Sequence, residues 1–383
     1  MVDINKNLVF VGKVNLDIYG VNSSIDKLED TKDFATDGMG AALGGASMNV
    51  ARAVKKLAGV YGDIQTAKIV TRMGQEPDKA SFANHDEYIL KKYVRAMTRE
   101  KLDYEGINCT DVTVGQAGPG IATSIVSGYN GGRHILKQQP LFEVFNAAND
   151  GMISSVHAHV QNEVCNAGYV FIDPARPALP NIAADVCHDQ GVSAVVDYGF
   201  KQWPSDAGKA ARLSNILQKA DILIVPGDAF VPGMKEGVKD PDALFEMLTG
   251  DGYSAKTVIM SDGMDPVRLS HNGKVTQIPV IPAERVINVN GAGDTRDGAL
   301  MFYLSRHDDV EVAVEKATVL ASIRIQYPDH EWETHIYDHV KDNPLFANDL
   351  PEMEKRMEMD EKQVTYLKPN AANDDDYDII SNG

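Results

Sequence analysis

The chain has 383 residues, room for one large domain with a small appended one or for two medium domains. Its 43% hydrophobic and 24% charged content fits a soluble globular protein with a full core, and no apolar run approaches the roughly 18 residues of a membrane span. A formal charge of −18 argues against nucleic acid as a partner, because that binding is dominated by contacts to phosphates.

The first residues, MVDINKNLVFVGKVNLDIYG, hold only a short apolar stretch with Asp and Lys around it, so no signal peptide is expected there. Cys109, Cys165 and Cys187 are too few and too scattered for a disulfide framework or a zinc site, and they read as ordinary thiols of a reducing, cytoplasmic compartment. Residues 349–383 hold ten acids and four bases, so a third of the negative excess is local. An acidic substrate would need its own cationic site; a neutral one would not.

Taken in order, residues 7–14 (NLVFVGKV) read as a buried strand with Asn15 and Asp17 at its end. Polar groups just past the carboxyl end of a strand in an α/β sheet lie where ligands bind, although these two residues also suit a turn. Residues 18–43 read as a small excursion. Its Gly38-Met39-Gly40-Ala41-Ala42-Leu43-Gly44 run is not a dinucleotide fingerprint, since the third glycine comes one place late. Gly44 and Gly45 then open an amphipathic helix through Val50, Ala53, Val54 and Leu57, with Asn49 in its first turn.

Residues 66–73 read as a strand and 85–102 as a helix. IATSIVS (121–127) and RHILK (133–137) flank a Gly-rich turn, which predicts a hairpin. One hairpin in an otherwise α/β chain suggests a small separate sheet with residues 18–43 as its partner. From residue 168 strand and helix alternate: strands at 168–173, 192–199, 221–227, 257–263 and 267–280, helices at 177–190, 205–219, 241–250, 297–306 and 309–326. This rhythm argues for a mostly parallel sheet covered by helices, with Asp173, Asp197, Gly227 and Ser261-Asp262-Gly263 gathered on one edge. Residues 349–383 lack a clear apolar period and end in a stretch rich in Asp and Asn, so the tail is expected to be partly disordered.

The stretch 284–304, ERVINVNGAGDTRDGALMFYL, carries the chemistry. Gly291-Ala292-Gly293 leaves the backbone open to a ligand, and a helix N-terminus favours an anion. Asp294 beside it suits proton removal from a hydroxyl held next to that anion. A phosphate cradle next to a general base is what phosphoryl transfer to an alcohol requires. The plainer alternative is a tight turn with Asp294 as N-cap. Gly250–Thr257 imitates a P-loop but precedes a strand instead of following one. His157 and His159 lack a third ligand, and Asp374–Asp376 reads as a solvated charge run.

Together these pieces resemble the ribokinase-like carbohydrate and nucleoside kinases, the PfkB family, over roughly residues 7–330. Asn288-Val289-Asn290-Gly291-Ala292-Gly293-Asp294 with Gly298-Ala299-Leu300 resembles its C-terminal signature, with Asn288 where Asp is usual. Gly44-Gly45-Ala46-Ser47-Met48-Asn49-Val50-Ala51 resembles the N-terminal one, with Ser47 where glycine is common. Asp197-Tyr198-Gly199-Phe200-Lys201-Gln202-Trp203 falls in the expected order.

The resemblance implies an α/β kinase domain over about 1–345 with a small β-sheet lid from about 16–43 and 118–137, followed by an acidic tail at 346–383. It implies Asp294 as general base and Gly291, Ala292 and Gly293 as anion hole. It implies Asn15, Asp17, Gly44, Gly45 and Asn49 around the sugar or nucleoside, and Ser261, Gly263, Asn288 and Asn290 around ATP. Magnesium would accompany ATP, and a monovalent cation is compatible with the family; a homodimer through the lid is a further expectation. The sequence departs from the family after DILIV. Pro226-Gly227-Asp228-Ala229-Phe230 lacks the usual Asn and Glu, leaving Asp228 as a substitute metal ligand, and Pro266 replaces a glycine. A catalytically weak member that binds a sugar or nucleotide in a regulatory or structural role therefore stands beside the kinase reading. A dinucleotide oxidoreductase lacks its fingerprint.

Overall fold

The structure is a computed structural model that describes residues 7–22, 38–63, 66–71, 85–111, 120–127, 133–139, 150–175, 178–199, 204–229, 240–250, 253–287, 289, 291–328 and 331–367. Two sheets organise it. The larger has nine strands: β1 (Asn7–Val11), β4 (Thr66–Thr71), β5 (Asn108–Asp111), β8 (Tyr169–Ile172), β9 (Ser193–Asp197), β10 (Ile222–Pro226), β11 (Thr257–Ser261), β12 (Val267–His271) and β13 (Lys274–Ile278). The order across it is β13-β12-β11-β10-β9-β8-β1-β4-β5. The seven strands from β11 to β5 pair in parallel, and β12 and β13 are added antiparallel.

Strands that are apolar on both faces need cover on both. In β1, Leu8 and Phe10 enter one core with α1 (Ala46–Tyr61), α7 (Ala292–Ser305) and α8 (Val310–Arg324). Val9 and Val11 enter the other, with α3 (Asp150–Val164), α4 (Ala178–Gln190), α5 (Ala207–Gln218) and α6 (Pro241–Thr249). The strand order reverses at β1, which has β4 on one side and β8 on the other. Such a reversal, at the carboxyl ends of β1 and β8, is the kind of place where open α/β sheets bind ligands. Backbones crowd there: a Cβ on Gly12 would collide with Ser47 Oγ and lie 2.9 Å from Asp173 Cβ.

The smaller sheet has four strands in the order β3-β2-β6-β7: β2 (Asn15–Asn22), β3 (Gly38–Gly44), β6 (Gly120–Ser127) and β7 (Arg133–Gln139). β2 pairs antiparallel with β3 and parallel with β6, and β6 pairs antiparallel with β7. The hairpin expected at 121–137 is thus joined by the excursion after β1; its turn at 128–132 lies outside the described residues.

Two expectations need correction. The helix expected at 297–306 begins five residues earlier, at Ala292, because Gly291 takes a left-handed φ of 77° and caps it. Asp294 therefore stands inside the first turn of α7, and the reading of it as N-cap falls. The second concerns the acidic tail beyond 349, in which the sequence suggested no helix. It forms α10 over Leu350–Leu367, while residues 368–383 lie outside the described residues. Glu, Lys, Arg and Met favour a helix even without an apolar stripe. The anchors are few: Met353 is buried, Arg306 reaches Glu352 at 2.8 Å, and Tyr337 donates to Glu354 at 2.9 Å. Among the described residues no helix is long and apolar enough to cross a membrane.

Candidate active site

The site is set by the crossing of α1 and α7. On α7, Gly298 faces α1 so closely that a Cβ would meet Val50 O at 2.8 Å and Ala53 Cβ at 2.5 Å. This approach brings the first turns of both helices together beside the end of β1. There Asn49 Nδ2 donates to Asp294 Oδ2 at 2.7 Å. Two residues before Asn49 on α1, Ser47 Oγ donates to the Val11 carbonyl at 3.1 Å and pins the start of that helix to the end of β1. Gly45 holds a φ of 103°, and a side chain on it would run into the Lys13 carbonyl, so this N-cap must be glycine.

Asp294 is surrounded by other carboxyls. Burial is the main cause that pushes its pKa up to about 7. The Asn49 donation and Arg296 pull against it, while Asp297 and Asp173 push with it. Asp197, at the end of β9, is held well above the ordinary range by burial and then by Asp297. The cluster contains one buried cation that the sequence reading passed over. Arg296 donates through Nε and Nη2 to Asp297 at 3.0 and 2.8 Å, and through Nη1 to Ser261 Oγ at the end of β11. A charged pair in an otherwise apolar helix was the available signal. A second buried guanidinium, Arg324, lies 3.9 Å from where a Gly291 Cβ would stand.

Several expected site residues converge. Gly291 is the left-handed N-cap of α7, and Ala292, Gly293 and Asp294 form its first turn. Ala292 N donates to Val289 O at 3.3 Å, a long bond. Asn15 is buried at the start of β2, paired in register with Gly44, and its Oδ1 has no hydrogen-bond partner among the described residues. Asp17 lies in β2 between Ala42 and Ala122, but its side chain is outside the described residues, as are Asn288 and Asn290. Ser261 and Gly263 lie at and just after the end of β11, Gly263 in an exposed turn with φ 60°. Asp228 sits half-buried in the turn after β10, beside Gly227, whose amide donates to Ser261 O at 2.8 Å.

No group of three or more His, Cys, Asp or Glu that could hold a metal occurs among the described residues. The donor set does fit a magnesium ion bound mainly by substrate phosphates and water with one carboxylate, the usual habit of that ion. The P-loop imitation at Gly250–Thr257 runs from the end of α6 into β11, helix to strand.

Comparison with known proteins agrees with this architecture. Solved structures with the same fold include the microbiome-derived acarbose kinase Mak1, at TM-score 0.63 and 16% identity over 84% of this chain and 93% of that one. They also include Arabidopsis thaliana ribokinase complexed with ribose and ATP, at TM-score 0.55 and 19% identity over 84% and 92%. Burkholderia thailandensis nucleoside kinase in complex with inosine matches at TM-score 0.53 and 16% identity over 86% and 98%. Among curated relatives, adenosine kinase 2 of Arabidopsis thaliana is 34% identical over 77 residues, 20% of this chain and 22% of that protein. Adenosine kinase of Saccharomyces cerevisiae is 26% identical over 121 residues, 30% of this chain and 36% of that protein. The aligned stretches thus span well under half of either relative. The family model of the pfkB family carbohydrate kinases matches residues 92–331, more than half of the chain and inclusive of β8 to β11 and α7. With that match, the nine-stranded sheet and the glycine-capped helix bearing Asp294, the chain belongs to the pfkB family of carbohydrate kinases.

Proposed function

We propose that the protein transfers the γ-phosphoryl group of ATP to a hydroxyl of a neutral sugar or nucleoside. The observation that carries this reading is Asp294: a carboxyl in the first turn of a glycine-capped helix, at the switch point of the sheet, with its pKa near 7. A base with that value is ionised often enough to accept a proton and basic enough to draw it from an alcohol. Asp294 takes the hydroxyl proton as the oxygen attacks the γ-phosphorus, the bond from that phosphorus to the ADP oxygen breaks, and the proton passes later to solvent. The N-terminus of α7 at Gly291, Ala292 and Gly293 faces the negative charge that grows on the phosphoryl oxygens.

In this reading Asn15, Asp17, Gly44, Gly45 and Asn49 bind the acceptor, and Ser261, Gly263, Asn288 and Asn290 bind the nucleotide. Magnesium bound with ATP would supply charge neutralisation, and Asp228 is the carboxylate that would hold it. The four-stranded sheet serves as a lid that excludes water, within a kinase domain spanning about 1–345. The names of the relatives, adenosine kinase, a ribokinase complexed with ribose and ATP, and a nucleoside kinase in complex with inosine, favour this substrate class. A cytoplasmic location and a homodimer through the lid complete the reading.

The test is ADP release from ATP and magnesium across a panel of free pentoses, hexoses and nucleosides, with Asp294→Asn as control. Turnover with one acceptor that is lost in the control is the expected result. Clear ATP or sugar binding with no turnover on any acceptor would replace this reading with that of a catalytically weak binding protein. The turn Pro226-Gly227-Asp228-Ala229, which lacks the usual Asn and Glu, favours that second reading.

A further inference from the structure

Arg52 lies one turn after Asn49 on α1, and nothing in the reading above uses it. Its guanidinium joins three elements. Nε and Nη2 grip Glu105, just past α2 (His85–Tyr104), at 2.8 and 2.9 Å. Nη2 also donates to the carbonyl of Leu43, near the end of β3, at 3.1 Å. Nη1 donates to Asn49 Oδ1 at 3.0 Å.

The chemistry of this last contact is directional. A guanidinium has donors and no acceptor, so only the oxygen end of the Asn49 amide can face it. The nitrogen end is thereby turned to Asp294, where it donates at 2.7 Å. A flipped amide would set its oxygen against the carboxylate and its nitrogen against the guanidinium, losing both hydrogen bonds. We infer that Arg52 is a positioning residue for the general base: it fixes which end of the Asn49 amide meets Asp294, and through Leu43 it ties that orientation to the root of the small sheet.

The inference rests on the reading of Asp294 as base. The bidentate grip of Glu105 gives Arg52 a fixed place from which to act. Its side chain and that of Glu105 are only 27% and 22% exposed, so solvent competes weakly for these donors. The Leu43 carbonyl belongs to the residue paired with Leu16 across the small sheet. A shift of β3 would therefore move an acceptor of Arg52 and be felt at Asn49. Besides Asn49, the groups that act on Asp294 are Asp297 and Arg296 on α7, Asp173 after β8 and Asp197 at the end of β9. The hydrogen bonds from Arg52 Nη1 to Asn49 and from Asn49 to Asp294 are the route by which a change at Arg52 reaches the base.

The experiment follows the titration of the Asp294 carboxyl by carbon-13 NMR in the full chain, assigned with Asp294→Asn, alongside kcat against pH. The wild-type midpoint is expected at about 7. In Arg52→Gln it should rise by roughly half to one unit, because a hydrogen bond to the charged form is lost. Turnover at pH 7 should fall about two- to fivefold and return by about pH 9, with acceptor and ATP KM within about twofold. Asn49→Ala should raise the midpoint similarly, and the double variant should add nothing further, since the two residues act in series.

An unmoved midpoint in Arg52→Gln, or full additivity with Asn49→Ala, overturns the inference. If Arg52→Gln does not fold, Glu105→Gln releases the same guanidinium and is held to the same midpoint test. A wild-type chain that turns over no acceptor, while the midpoints move as stated, overturns the kinase reading and leaves the positioning role standing.

Discussion

Asn49 and Asp294, 245 residues apart in the chain, meet at 2.7 Å because Gly298 lets α7 settle against the backbone of α1. The geometry of the base is thus a consequence of a helix crossing. Replacing Gly298 by alanine forces the two helices apart, since its new Cβ would meet the Val50 carbonyl, which cannot swing away. Gly298→Ala is expected to destabilise the protein by about 1–3 kcal/mol, measured by urea denaturation. The surviving folded protein should also lose turnover, because the Asn49–Asp294 pair opens. Unchanged stability and turnover would count against the crossing as the organiser of the site.

Removing the base tests its chemistry. Asp294→Asn keeps the shape and can still accept the Asn49 donation through its own oxygen. It should lower kcat by about 10²–10⁴-fold while leaving ATP and acceptor affinity within about twofold. Retained turnover in this variant would refute the assignment of Asp294.

The raised pKa gives turnover an acidic limb. Below about pH 7 Asp294 holds its proton in the folded enzyme and cannot accept another, so kcat should fall tenfold per unit on the acid side. The same shift acts on stability. Asp294 has an ordinary value of 3.8 and a folded value of about 7, so between them the folded state binds a proton that the unfolded state has lost. Stability from this group therefore declines as pH rises from about 4 to about 7. Asp294→Asn removes that contribution. Its melting temperature should exceed the wild type's at pH 7 and approach it near pH 4. The opposite order would show that the carboxyl is not held protonated by burial.

At the far end of α7 a different charge cluster holds the C-terminal elements. Lys316 is 4% exposed and pairs with Asp308 at 2.8 Å and Asp349 at 2.9 Å, with its ammonium 4.8 Å from the Tyr303 ring centroid. Deleting this amine leaves Asp349, itself 5% exposed, without its cation. Lys316→Ala should therefore cost about 3–5 kcal/mol by denaturant unfolding. A loss below 1 kcal/mol would mean that Asp349 finds another partner.

Much of the fold could be read from short windows. Buried runs such as VFIDP at the end of β8 and ILIVP in β10, each followed by a helical stretch, announced the parallel sheet, and the Gly-rich turn between IATSIVS and RHILK announced the smaller one. The start of α7 was less visible, because Gly-Ala-Gly-Asp reads equally as loop or helix until the left-handed φ of Gly291 is known. The helix α10 escaped notice because its sequence has no clear apolar period; among its described residues Met353 is the buried apolar anchor.

The sequence by itself determined the strand and helix rhythm, the glycine pair before α1 and the glycine-framed acid before an apolar helix. Those features arise from steric and periodic rules that act over a few neighbouring residues. Only the tertiary structure decided that Arg52, Asn49 and Asp294 form a chain, that Arg296 and Asp297 share the buried cluster with Asp197, and that Asp294 titrates near neutrality. The reason is physical: hydrogen bonds and desolvation depend on which side chains packing brings together in the interior, and residues from α1, β9 and α7 meet there from positions far apart in the chain.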